Sequence, residues 1–233
     1  MQVRLTVNFS KPVPLFPLAE TVLLPHAAQR LHIFEPRYRQ MVEHCLDTIG
    51  QVGMACYDFD ATAESSGEQP VLRPAICIGQ IVRHERLHDG RFNIELLGVC
   101  RAAIEQLDEP IDDRLYRQAI VRPLESIDEE PPPLPRVRDR LRDLLEGPYL
   151  RRFRGTDQLL EWLDCDEITT QALLEVIGFA IVTDNELRYQ LLAESDVKQR
   201  ASMIMRELHD LRGLVTMADQ QGHRDWPKGL SWN

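Results

Sequence analysis

The sequence predicts an α+β protein, with a strand-rich first half followed by a helical second half. Three observations carry this: short apolar runs punctuated by turn residues up to about residue 125, a proline-dense stretch near residue 130, and helical periodicity beyond it. At 233 residues with 43% apolar side chains, burial can offset chain entropy.

Val13–Leu18 and Thr21–Leu24 read as strands, with Pro12, Pro14, Pro17 and Pro25 marking bends and edges. Tyr38, Met41, Val42, Cys45, Leu46 and Ile49 then step along one helical face. Pro36 suits its first turn, where a missing N–H costs nothing, and Gly50 suits its end. Gln51–Tyr57 returns to a strand, and residues 61–69 are small, polar and acidic, as a surface loop requires. Ile76–Leu87 and Arg91–Val99 flank Asp89-Gly90, which predicts a hairpin with a type I′ turn. Phe92, Ile94 and Leu96 alternate with Asn93 and Glu95, giving one buried and one wet face. Arg101–Leu107 and Tyr116–Leu124 bring the total to about six strands.

These patterns divide the chain into a β-rich region over 1–128, a stiff linker over 129–135 and a helical bundle over 136–218, with a tail over 219–233 that lacks periodicity. In the bundle, Val137, Leu141, Leu144 and Leu145 share a face, and Gly147-Pro148 ends their helix. Ile168–Val182 is apolar nearly all round and should sit at the bundle's centre. A short helix covers Glu186–Ala193. Ser195 is placed to cap the last helix, whose Val197, Ala201, Ile204, Leu208, Leu211 and Val215 form a seam.

Composition excludes several classes of function. The net charge of −10 argues against nucleic acid, which demands a basic excess to displace counterions. It would also favour basic over acidic segments in any polypeptide that the chain meets. Arg136, Arg138, Arg140 and Arg142 are interleaved with carboxylates and read as a solvated, ion-paired helix face. No apolar run is long enough for a membrane span, and the start lacks a signal-like run, so a cytoplasmic protein is expected. The five cysteines are odd in number and scattered among apolar neighbours, which suits reduced, structural thiols.

Val13-Pro14-Leu15-Phe16-Pro17-Leu18, Val22-Leu23-Leu24-Pro25-His26 and Leu31-His32-Ile33-Phe34-Glu35-Pro36-Arg37-Tyr38 resemble the opening of the Lon substrate-binding domain. So do Ile78-Gly79, the Asp89-Gly90 hairpin, Leu97-Gly98 with Arg101, and the later Tyr189-Gln190-Leu191-Leu192-Ala193-Glu194. The resemblance implies a PUA-like β pseudo-barrel with one inserted helix, followed by a helical bundle. It also implies a protein-binding role toward unfolded or specific clients, as an adaptor to a protease. No phosphate-binding loop and no peptidase residues accompany these motifs, so binding without catalysis and without a cofactor is expected. Tyr57 and Phe59 are the candidate peptide-binding residues, because aromatic side chains anchor peptides well.

Two enzyme readings compete with this. His84-Glu85-Arg86-Leu87-His88 fits the His-Glu-x-x-His pattern of zinc hydrolases, in which both imidazoles hold the metal and the glutamate activates water. That chemistry needs a helix. On the strand expected here, four residues span about 13 Å, too far for one zinc. Cys45 beside His44 is the nearest pair for a cysteine hydrolase, but adjacent helical residues point apart, leaving Cys45 buried and His44 wet. RNA binding, by analogy with PUA-type folds, runs against the acidic charge. His26 and His32 lie among apolar residues and are expected to be structural.

Overall fold

The computed structural model describes residues 6–19, 21–58, 70–126, 132–148, 150–152 and 155–220. Its order is β1 (Val13–Leu18), β2 (Ala28–Ile33), α1 (Pro36–Leu46), β3 (Gln51–Cys56), β4 (Ala75–Arg86), β5 (Phe92–Asp108) and β6 (Gln118–Pro123). Helices α2 (Pro135–Glu146), α3 (Thr156–Asp164), α4 (Thr170–Ile181), α5 (Asn185–Ala193) and α6 (Val197–Gln220) follow, with a 3-10 turn at Leu150–Arg152. The chain divides into two compact units, Met1–Glu129 with Thr183–Ser195, and Glu130–Val182 with Asp196–Asn233.

In the first unit the strands run β2-β5-β4-β3-β1-β6, and β6 also pairs with β5. The pairings therefore return on themselves through β1, β3, β4, β5 and β6, with β2 outside that circuit. A 17-residue β5 makes this possible. Its first half pairs with β2 and its second half with β6, while β4 lies along its other side. Val13, Leu15, Ala55, Ile76, Ile78, Ala102, Ala119 and Val121 form the core between these strands. Phe92–Asp108 is thus one strand where the sequence reads as two, and β2 falls in a stretch to which the sequence reading assigns no strand. Val22, Leu23 and Leu24 are buried without being a strand.

The turn after β4 also differs from the expected type I′. Gly90 N donates to Leu87 O, Leu87 N donates to Arg91 O, and positive φ falls on Gly90 (79°) but not on Asp89. His88, Asp89 and Gly90 therefore make a three-residue loop in which one glycine supplies the left-handed position. The Leu24-Pro25-His26 turn sits on Gly98: His26 N donates to Gly98 O at 2.9 Å and Gly98 N to Ala27 O at 2.8 Å. A Cβ on Gly98 would lie 2.1 Å from Leu24 O, so no larger residue fits.

Helix α1 begins with Pro36 and buries Tyr38, Met41, Val42 and Cys45. Tyr38 meets Phe16 edge-on, ring centroids 4.5 Å apart. Helix α5, grouped with the bundle by its sequence pattern, packs within the first unit. The Tyr189 hydroxyl accepts from Ala75 N at 2.9 Å, and Leu191 O accepts from the buried Arg101 Nε at 3.3 Å.

The second unit is helical. Helix α4 buries Leu173, Leu174, Ile177 and Gly178, and with them Glu175. Glu175 accepts from Arg200 Nε of α6 at 3.0 Å, both side chains 1% exposed. Asp196 rather than Ser195 caps α6, its carboxylate accepting from Lys198 N at 2.8 Å.

Candidate functional site

Tyr57 closes β3 by bridging Leu72 and is half-buried. It shares a hydrogen bond with Tyr38, whose hydroxyl is pushed well up, first by burial and then by that bond. Pro17, Arg37, Tyr38, Tyr116 and Arg117 line the same seam, whose free space is about 10 Å³. A water needs that much, so no peptide side chain enters the seam as it stands. Phe59 lies outside the described residues, as does the 61–69 loop.

An open groove of about 660 Å³ lies instead on the three strands β2, β5 and β4. Cross-strand pairing sets two rows on its face: Arg30, Glu95 and Arg83, then His32, Asn93 and Glu85. The second row is joined by hydrogen bonds. Arg91 lies 3.2 Å from His32 Nε2, His32 Nδ1 lies 2.8 Å from Asn93 Oδ1, and Asn93 Nδ2 donates to Glu85 Oε2 at 3.0 Å. Arginine only donates, so Nε2 must accept and Nδ1 carries the hydrogen that Asn93 receives. In the first row Arg83 approaches Glu95 at 3.9 Å. The groove is therefore polar, with both charge signs, and its arginines and amides can orient a backbone or a carboxylate. On the opposite face of the same strands Arg86 pairs with Glu43 of α1 at 2.9 Å and lies over the Phe92 ring.

The structure places the hydrolase candidates apart. His84 is on β4 and His88 in the turn beyond it, so the helical spacing that a shared zinc needs is not formed. Among the described residues no cluster of three His, Cys, Asp or Glu side chains could hold a metal. Cys45 is buried, and burial pushes its thiol up to about 12, which opposes a nucleophilic thiolate. His44 is exposed and hydrogen-bonds the Tyr116 hydroxyl at 2.9 Å, whereas the Cys45 thiol donates to Gln51 O at 3.5 Å. His26 and His32 are both exposed, in contrast to the buried setting their neighbours suggest. His26 holds a left-handed turn at φ 63°.

Sequence patterns miss this groove because its residues come from three separate strands, with Leu31-His32 and His84-Glu85 falling in motifs that point elsewhere. The available signal is the period-2 alternation Arg30-Leu31-His32-Ile33, which marks a half-buried strand. Among the described residues no helix is long and apolar enough to cross a membrane.

The fold finds its counterparts among known proteins. A Lon N-terminal domain protein from Xanthomonas campestris superimposes with a TM-score of 0.61 at 20% identity, over 84% of this chain and 98% of that one. The N-terminal domain of Mycobacterium avium complex Lon protease superimposes with a TM-score of 0.63 at 18% identity, over 86% of this chain and 99% of that one. No curated protein sequence matches the chain. The family model for the ATP-dependent protease La (LON) substrate-binding domain matches residues 12–210, spanning both the β-rich region and the helices, and the chain belongs to that family.

Proposed function

We propose that the protein is a non-enzymatic receptor for unfolded or otherwise exposed segments of client proteins, acting as an adaptor that hands them to a separate ATP-dependent protease. The observation that carries this is the family match over residues 12–210, a substrate-binding domain rather than a catalytic one. An open groove on the β2-β5-β4 face suits a role in which chains are held loosely. The net charge of −10 disfavours RNA as the ligand and suits a cytoplasmic protein without membrane or nucleic-acid partners. Tyr57 and Phe59 remain our proposed aromatic anchors, with the seam beside Tyr57 opening to admit a client side chain. No cofactor enters this function.

The test is a titration of the whole protein against a permanently unfolded, fluorescently labelled client, with and without ATP. Saturable binding, no cleavage and no ATP effect are expected. Tyr57→Ala should weaken binding by about tenfold or more, since truncating an anchoring aromatic costs upward of about 1–2 kcal/mol. Cleavage of the client, or retention of one folded partner with no affinity for any unfolded chain, would overturn the receptor function.

A further inference from the structure

Strand β2 ends the sheet, and among the described residues it pairs with β5 alone. Its ladder can be phased from two bonds at its start, His26 N to Gly98 O and Gly98 N to Ala27 O. Bonded and non-bonded pairs alternate in an antiparallel ladder, so Gln29, Leu31 and Ile33 bond to β5. Ala28, Arg30 and His32 then turn their N–H and C=O groups outward. All three are exposed, and the Arg30 carbonyl takes up a bond from its neighbour's side chain, Gln29 Nε2, at 3.0 Å.

The side chains beside this open edge are equally specific. Arg30, His32 and Phe34 recur at every second position. Phe34 is 60% exposed and stacks on His32 with centroids 6.3 Å apart. Arg83 and Arg91 approach Glu95 and Asp89, whereas among the described residues the Arg30 guanidinium has no carboxylate. An exposed edge strand is normally blunted or covered, because it templates pairing with another chain.

We infer that β2 receives an extended segment of a client protein as an added strand, with an acidic side chain set against Arg30 and an apolar one against Phe34. This rests on the client-binding function proposed above and gives it a site and a sequence preference. The preference opposes the molecule's net negative charge. Screening over about 8–10 Å leaves the guanidinium nearest the ladder to decide. A second copy of the chain is a poorer occupant: antiparallel β2–β2 pairing centred on the strand sets Arg30 against Arg30, and like charges directly opposite are destabilising.

The whole protein should be titrated by fluorescence anisotropy with a labelled peptide of about seven residues, alternating valine with glutamate and ending in phenylalanine. A lysine-for-glutamate peptide and one N-methylated at alternate residues serve as comparisons. The glutamate peptide should bind on the order of tenfold more tightly than the lysine peptide, and the N-methylated one should fail. Arg30→Pro removes the guanidinium together with an outward N–H, leaves the bonds of β2 to β5 in place as an edge strand tolerates, and should weaken binding by at least about tenfold. Arg30→Glu keeps the backbone and should reverse the preference between the two charged peptides. If an unfolded client binds while the peptides do not, or the N-methylated peptide binds as well as its parent, the edge is not the site and the receptor function stands. If neither client nor peptide binds, the receptor function itself falls. Concentration-dependent dimers abolished by Arg30→Pro would assign the edge to a second copy and overturn the proposal.

Discussion

At Cys45, Cys56 and Cys100 burial pushes the thiol up, to about 12, 11 and 12 respectively, which fixes both their reactivity and their effect on stability. An ordinary thiol titrates near 8.5, so at pH 8 these stay protonated in the folded chain. Cys77 is buried as well, Cys100 and Cys165 are both partly exposed, and of these two Cys100 carries the raised thiol. A chromogenic disulfide reagent at pH 8 should label about one thiol rapidly in the native protein, and all five in urea. The sign of the linkage follows from the same shifts. Between about pH 8.5 and 12 the folded chain holds protons that the unfolded chain has lost, so stability falls as pH rises. Urea midpoints at pH 8 and pH 10 check this. Glu175 and Arg200 test burial differently. Removing one member of a buried pair strands the other, so Glu175→Ala should cost about 3–5 kcal/mol in urea denaturation. Replacing both together with apolar residues should cost much less.

Between elements, Arg138 does what a helix terminus cannot do for itself. From α2 its guanidinium donates to Leu163 O at 3.1 Å, Ile168 O at 2.9 Å, Trp162 O at 3.3 Å and Cys165 O at 2.8 Å. These carbonyls end α3 and lead into α4, where the helix supplies no donors of its own. Arg138→Lys leaves a point charge unable to span the fork and should cost roughly 1–3 kcal/mol, with faster amide exchange in α3. The sequence shows Arg136, Arg138, Arg140 and Arg142 as a charged helix face. It does not show that Arg138 and Arg142, one turn apart, serve a neighbouring helix end. That contact depends on tertiary approach, to which a helical period is blind. Elements with strong local signals were legible: α1 from its apolar face and Pro36, the first half of β5 from its alternation, α2 from Gly147-Pro148. The hairpin position was legible in Asp89-Gly90, but its turn type was not, because loop length decides whether one or two residues need positive φ. The family motifs at Leu24-Pro25-His26 and Leu97-Gly98 look separate in sequence and prove to be the two sides of one close backbone approach. They keep the fold. The groove uses Arg30, Asn93 and Glu85, whose grouping exists only once three strands are paired.

At the scale of the whole chain, the order of connection limits where the molecule can be divided. A cut in the proline stretch near residue 130 looks natural from composition, with the β-rich region before the linker and the bundle after it. Yet the chain returns to the first unit at Thr183–Ser195 before resuming in the second. What it brings back is specific. Arg73 grips Glu186 through two bonds, at 2.6 and 3.1 Å, and lies 3.4 Å over the Tyr189 ring. Leu191 and Leu192 are buried, and Leu191 O receives the guanidinium of Arg101, itself 1% exposed. A chain ending after Glu129 would expose that arginine's surroundings to water and lose one acceptor for a buried charge, a loss that costs more than an ordinary hydrogen bond. It should therefore melt well below the intact protein, by about 10 °C or more, given several kcal/mol lost from a domain of this size. Tyr189→Ala in the intact chain should move the same way, by about 3–5 kcal/mol, as for other buried aromatic truncations. Circular dichroism melts of the three proteins decide it. A truncated chain that melts cooperatively at the intact protein's temperature would show that α5 is dispensable and that the linker alone bounds an autonomous β-rich domain.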